Sequence, residues 1–264
     1  MTGAGTRHRH SPLTARNTHW DPTMEKRQEL YRGKAKTVYA TDDANFVIMH
    51  YRDDVSAFDG AKLAKLELKG ETNNRFNAYV MGRLAGSGIR THFLRMLNER
   101  ESLVKTMKML PVECVVRNVC AGSMAKRYGI EEGTKLREPI FEFFLKSDAL
   151  HDPLVNDDHI RILGWASATE IAQMRALTHK VNAVLKPMFA DAGIDLVDYK
   201  LEFGHPLDDP QGTVVLGDEI TPDGCRLWDV ATGEKMDKDR FRRDLGNVIG
   251  KYREVAKRIG VPLD

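Results

Sequence analysis

Three ionisable side chains of mixed sign alternate with apolar ones along residues 197–203. In an extended segment Asp198, Lys200 and Glu202 share one face, and Val197, Tyr199, Leu201 and Phe203 share the other. Same-face neighbours in a strand stand about 6–7 Å apart, so the charged groups form a row. One reading is the solvated face of a half-buried strand. The next apolar run, 214–220, offers another, because it carries two further carboxylates, Asp218 and Glu219. Paired as a hairpin across the polar loop 205–213, the two strands bring Asp218 or Glu219 beside Glu202. Two carboxylates and a lysine at close quarters supply what Mg²⁺ and phosphate need: hard oxygen ligands for the metal and a cation for phosphoryl oxygens.

Other stretches carry chemistry of the same kind. Gly33-Lys34-Ala35-Lys36 places two lysines beside a glycine that lets backbone approach a ligand, although it lacks the GxxxxGK[ST] spacing of a P-loop. By itself such a segment also fits a solvated strand face. Ser123 follows a glycine at a helix start with Arg117 nearby, an arrangement that suits an anion; an ordinary serine N-cap fits the spacing equally. His151-Asp152 in a loop could move protons or simply be hydrogen-bonded. Arg226, on a short strand after the turn 221–224, comes close to the carboxylates. His8, His10 and His19 could bind metal but lie in a polar stretch without apolar period, which reads as a disordered tail.

Those residues must be positioned by strands and helices that the hydrophobic pattern outlines. Residues 29–40 and 46–51 read as two strands joined by a turn, 52–60 as an acidic loop, and 71–84 as an amphipathic helix. Short strands follow near 91–97 and 101–108, and Met109-Leu110-Pro111 reads as a hinge, since proline cannot continue a central ladder. Segments 112–120, 140–146 and 225–229 read as strands, and 124–128 as a short helix. Ser167 and Glu170 form a capping box for a long helix with Ile171, Met174, Leu177, Val181, Val184, Leu185 and Met188 on one face and a kink at Pro187. A last helix spans 238–259, with Phe241, Leu245, Val248, Ile249, Tyr252 and Val255 on one side. With 264 residues, 42% hydrophobic and 30% charged, the chain can bury a sizeable core. A net charge of +2 gives no support for a general nucleic-acid or membrane surface, and no run of apolar residues reaches membrane-spanning length. Three cysteines without CxxC spacing suggest neither a disulfide frame nor zinc, and fit a reducing, cytoplasmic setting.

Taken in order, LYRGKAKTVY, RDDVSAFDG, LPVECVVRNVCAGS, LKSDALHDP, LVDYKLEFG and GDEITPDGCRLWD resemble the phosphoribosylaminoimidazole-succinocarboxamide synthase (SAICAR synthase) family over residues 29–264. The resemblance implies an α+β fold of two lobes, an antiparallel ATP-binding lobe at 24–110 like those of kinases and ATP-grasp enzymes, and a larger α/β lobe at 111–264, behind a tail at 1–23. It implies ATP-dependent joining of carboxyaminoimidazole ribonucleotide (CAIR) to L-aspartate through an acyl phosphate, with Mg²⁺, in a homodimer. Carried onto this chain, Lys34 and Lys36 lie along the ATP phosphates, Lys146 lines the nucleotide site, and Met109 touches adenine at the hinge. Glu202 and Asp218 hold Mg²⁺. Arg117, Ser123 and Arg226 hold the ribonucleotide's phosphate and carboxylate, Asp198 and Lys200 face the reacting centre, and Ser56 and Asp59 border the CAIR and aspartate pockets. It leaves the roles of His151 and Asp152 open. The loop 205–211 is longer than in compact bacterial members. A small-molecule kinase would have no reason to keep Arg117, Ser123 and Arg226, and a silent nucleotide-binding protein no reason to keep Lys34, Glu202 and Asp218.

Overall fold

The structure, a computed structural model, describes residues 24–263. The expected tail, with His8, His10 and His19, lies outside the described residues. Strands β1 (Glu29–Arg32), β2 (Lys36–Ala40) and β3 (Phe46–Tyr51) are followed by β4 (Asp54–Ala57), β5 (Lys62–Lys65), helix α1 (Lys69–Gly86), β6 (Phe93–Met96) and β7 (Glu101–Lys105). Then come β8 (Met107–Val119), α2 (Gly122–Tyr128), β9 (Lys135–Leu145), β10 (Leu154–Val155), α3 (Asp157–Ile162) and α4 (Ala168–Asp191). The chain ends through β11 (Ile194–Pro206), β12 (Val215–Gly217), β13 (Cys225–Asp229), α5 (Asp239–Arg242) and α6 (Val248–Ile259).

Two antiparallel sheets organise these elements into a two-lobed α+β fold. The smaller runs β1-β2-β3-β7-β6, and the larger runs β10-β9-β8-β11-β12 with β13 also paired to β11. β11 is the axis of the larger sheet. β8 flanks one of its edges, while the other is shared between β13, over 194–199, and β12, over 202–204. Tyr199, Leu201 and Phe203 enter the main core, where they meet Phe76 and Val80 of α1, Met174, Val181 and Leu185 of α4, and Val255 and Ile259 of α6. Fully burying each such side chain is worth about 1.5–3 kcal/mol, which keeps the apolar face of β11 inward and commits its charged face to the opposite side. Ser167 and Glu170 do close a capping box on α4, and its expected stripe packs on this core. Among the described residues no helix is long and apolar enough to cross a membrane.

Several expectations change. The segment 29–40 is a hairpin of two strands, with 33–35 as its turn, and β1 pairs with β2. Residues 54–57 form a strand paired with β5 instead of a loop. No break occurs at Met109-Leu110-Pro111, because β8 runs straight through them. Pairing with β9 ends at Val112 opposite Leu145, so Pro111 sits just past that ladder and its missing N–H costs little. Its carbonyl still accepts the Lys146 N–H at 2.9 Å. His205 and Pro206, expected in the loop, extend β11. The helix expected at 238–259 is two, interrupted where Asp244, Gly246 and Asn247 take positive φ, and Leu245 is exposed. Val197 leaves the face of Tyr199, because the register with β13 shifts between Leu196 and Asp198 and the bulge turns it into a small cluster with Val119 and Ala121.

Candidate active site

Register brings the charged row of β11 against charged positions of β8. Asp198 lies opposite Arg117 and Glu202 opposite Glu113, while Tyr199 opposite Val116 and Leu201 opposite Cys114 face the core. Arg117 donates to the Asp198 carboxylate at 2.7 Å, to Glu142 of β9 at 2.9 Å and to the Ser123 hydroxyl at 3.1 Å. Arg226, across from Asp198 on β13, donates to the same carboxylate at 2.9 and 3.1 Å and to Asp239 at 3.0 Å. Two guanidinium groups, that of Arg117 buried and that of Arg226 half-buried, therefore share Asp198. Fixed carboxylate partners of this kind hold planar forks in one orientation before an anion arrives. Gly122 is required here: its φ is +56°, and a Cβ on it would stand 2.4 Å from the Arg226 guanidinium. Ser123 is not the N-cap of α2, which is Ala121; its oxygen is turned to Arg117.

Further along β11, Lys200 reaches Glu202 at 2.5 Å, Glu113 at 3.2 Å and Asp218 at 3.7 Å. Lys146 also pairs with Glu202. Lys36, arriving from β2, pairs with Asp218 and lies 3.0 Å from Glu219. Asp218 follows β12 directly and holds φ +52°. Burial opposes charging of Lys36 and Lys200, but the surrounding carboxylates outweigh it and raise both. At neutral pH each is an ammonium, a neutraliser of negative charge and not a base. Burial opposes ionisation of Asp218 too, but the Lys36 and Lys200 ammoniums outweigh it and hold its carboxyl below the usual range. Burial raises Glu113, and burial lowers His92 to about 4, so its ring is neutral.

These groups line one open cleft of about 1480 Å³ between the two sheets. Lys34, Lys36, Met109, Arg117, Ser123, Lys146, Asp198, Lys200, Glu202, Asp218 and Arg226 all border it. Lys34 stands at its mouth in an exposed pair with Asp148 at 2.8 Å, and the Met109 thioether lies against Gly217. Ser56 and Asp59 are not among the lining residues. Ser56 is buried in β4, and Asp59, at the β4–β5 turn, meets His151 at 2.8 Å. His151 therefore pairs with Asp59 and not with Asp152, which accepts the Ser147 N–H.

Residues passed over in the sequence also belong here: Glu113, Glu142, His92, Asp223, Lys238 and Asp239. Period two in 112–118 puts Glu113 on the face of Arg117 and could have revealed it; the others come together only through long-range contacts. No group of three or more His, Cys, Asp or Glu side chains poised for a metal occurs among the described residues. Glu202 and Asp218 are the hard donors that Lys200 draws together. Two carboxylates suit Mg²⁺, which takes its remaining ligands from water and substrate phosphates, so the donor set fits that ion when an anionic substrate is present.

Fold and cleft define a two-lobed α+β enzyme with a deep site for anionic small molecules. The family model described as SAICAR synthetase matches residues 29–259. Phosphoribosylaminoimidazole-succinocarboxamide synthase of Hahella chejuensis is 60% identical over 238 residues, 90% of this chain and 99% of that protein. The crystal structure of the synthase from Ehrlichia chaffeensis superposes with TM-score 0.87 at 44% identity, covering 89% of this chain and 99% of that one. A SAICAR synthetase solved in complex with ADP gives TM-score 0.84 at 44% identity, covering 88% and 97%. The chain belongs to the SAICAR synthetase family, the ATP-dependent ligases of purine biosynthesis.

Proposed function

We propose that this chain joins the carboxylate of CAIR to the amine of L-aspartate, forming SAICAR while ATP becomes ADP and phosphate. A carboxylate is a poor acyl donor because oxide is a hopeless leaving group. Phosphorylation of the CAIR carboxylate by ATP would replace oxide with phosphate; the neutral aspartate amine then attacks the carbonyl, phosphate departs with one former carboxylate oxygen, and the amine proton is lost. The observation that carries this reading is the pair Arg117 and Arg226 on shared Asp198, in the same cleft as Lys36, Lys200, Glu202 and Asp218. Arg117, Arg226 and Ser123 supply donors for the ribonucleotide's phosphate and carboxylate. Lys34, Lys36, Lys146 and Met109 border the nucleotide, with the lysines neutralising charge as phosphate transfers. Asp198 and Lys200 face the reacting centre, and Ser56 and Asp59 stand behind it on the β4–β5 hairpin, Asp59 against the lining residue His151. Glu202 and Asp218 would hold Mg²⁺, which when bound neutralises phosphoryl oxygens.

The lobe division at 24–110 and 111–264 belongs to the same proposal. It is supported by a smaller sheet confined to 29–105 and a larger one drawn from 107–229. A cytoplasmic homodimer acting on small molecules, with neither nucleic acid nor membrane as partner, completes it; three free, buried cysteines suit a reducing compartment. The test supplies Mg-ATP, CAIR and aspartate and follows ADP and the succinocarboxamide. ADP formation that needs no aspartate and yields no amide refutes the ligase reading. With ¹⁸O in the CAIR carboxylate, label in the released phosphate supports the acyl phosphate, and its absence rules that step out.

A further inference from the structure

The dipeptide Asp218-Glu219 projects from the end of a three-residue strand, where ladder bonds no longer constrain it. Lys36 attracts both carboxylates and Lys200 attracts the first, so side-chain charge alone leaves this loop free to follow whichever cation moves. Two buried side chains from outside the larger sheet hold its backbone instead. The His92 ring, almost fully buried, meets the Asp218 carbonyl through Nε2 at 2.9 Å. A carbonyl only accepts, so Nε2 carries the proton. Asn77, fully buried on α1, accepts the Ile220 N–H at 2.9 Å, and its own NH₂ donates to the Tyr51 hydroxyl at 2.9 Å. The two bonds bracket Glu219. A third contact fixes the approach: His92 N–H donates to the Leu216 carbonyl at 2.8 Å, and Thr91 bridges Leu216 in parallel.

We propose that His92 and Asn77 are positioning residues that clamp the Asp218-Glu219 backbone and so hold the Asp218 carboxylate at its place in the cleft. The left-handed φ of +52° at Asp218 is unfavourable for a residue with a Cβ. It persists only where surrounding bonds over-determine it, and these two supply that constraint. The clamp also has a direction. Asn77 and His92 come from α1 and from the segment before β6, so the carboxylate that follows β12 is set by residues from outside the larger sheet. Outer partners of metal-binding carboxylates work in this way, by fixing the ligand and not by touching the ion.

The clamp rests on the reading that Asp218 holds the cation, and the experiment separates the two. Mn²⁺ replaces Mg²⁺, and its binding in the presence of ADP is titrated by electron paramagnetic resonance of the free ion, with no turnover involved. Asp218→Asn is the control and weakens Mn²⁺ binding if the reading holds. His92→Leu removes the donor and is expected to weaken it about tenfold. His92→Gln returns a donor near the Nε2 position and recovers most of that loss, while the melting temperatures of the two His92 variants agree within a few degrees. If His92→Leu does not fold, His92→Asn, whose amide falls short of the carbonyl, carries the same expectation. Unchanged Mn²⁺ binding in His92→Leu or His92→Asn beside a weakened Asp218→Asn overturns the clamp. Unchanged binding in Asp218→Asn itself overturns the cation assignment on which the clamp depends. Equal weakening in His92→Leu and His92→Gln shows a packing role and also refutes the clamp.

Discussion

Asp223 ties the turn 221–224 to two helices, and its replacement by asparagine tests whether that tie supports the cleft. Its carboxylate accepts from the Lys69 ammonium at 2.5 Å, from Asn73 at 2.8 Å and from the Tyr252 hydroxyl at 2.8 Å. Lys69 is 1% exposed, and among the described residues it makes no other ion pair. Asparagine keeps the shape but leaves that ammonium uncompensated and turns an NH₂ toward donors. Breaking one side of a buried pair costs about 3–5 kcal/mol, and at roughly 2–4 °C per kcal/mol for a chain of this size the melting temperature should fall by about 10 °C. Gly224 in the same turn accepts the Lys200 N–H at 3.2 Å, so loosening it also disturbs the charged row of β11. The pH dependence has a definite sign. Burial opposes ionisation of Asp223, but the Lys69 and Lys238 ammoniums outweigh it and hold its carboxyl below the usual range. A depressed carboxyl contributes stability that is fully present above its unfolded value, near pH 4, and is lost as pH falls through the folded one. Urea unfolding of both proteins at pH 7 and pH 3 measures this directly. A gap below about 1 kcal/mol at pH 7, where a buried pair should cost several times more, or a gap that widens below pH 4, refutes the reasoning.

Three other substitutions probe the cleft. Glu202→Gln should cut kcat about a hundredfold yet leave the melting temperature within a few degrees, because Lys146 and Lys200 are each about one-third exposed and can rehydrate; near-normal turnover at saturating Mg²⁺ removes Glu202 from the cation site. Arg117→Lys cannot serve Glu142, Asp198 and Ser123 together and should raise the CAIR KM at least about tenfold, with ATP nearly unaffected; steady-state kinetics with each substrate varied decides, and an equal rise for both contradicts the assignment. Lys34→Ala breaks an exposed pair with Asp148 and should cost less than about 1 kcal/mol of stability while raising the ATP KM several-fold; an unchanged KM moves Lys34 away from the phosphates.

What local pattern can encode was legible. Alternation along β11 put Asp198, Lys200 and Glu202 on one face and Tyr199, Leu201 and Phe203 in the core, because both consequences follow from a two-residue period within one segment. The capping box of α4 and its apolar stripe were equally local. Local reasoning failed where a backbone irregularity or a distant partner intervened. A register shift beside Asp198 moved Val197 to another cluster, and positive φ at Asp244 and Asn247 split the final helix. A ladder that ends at Leu145 let β8 pass through Pro111. The site itself shows the same division. Residue types and short spacings marked the lysines, arginines and carboxylates, and the ordered motifs indicated the family. Only tertiary structure decided that Arg117 and Arg226 share Asp198, that Lys36 crosses from the smaller sheet to Asp218, and that Asp59 stands behind the cleft lining, against His151. Those outcomes depend on strand register and on side chains separated by tens to hundreds of residues, and no periodicity within one segment carries that information.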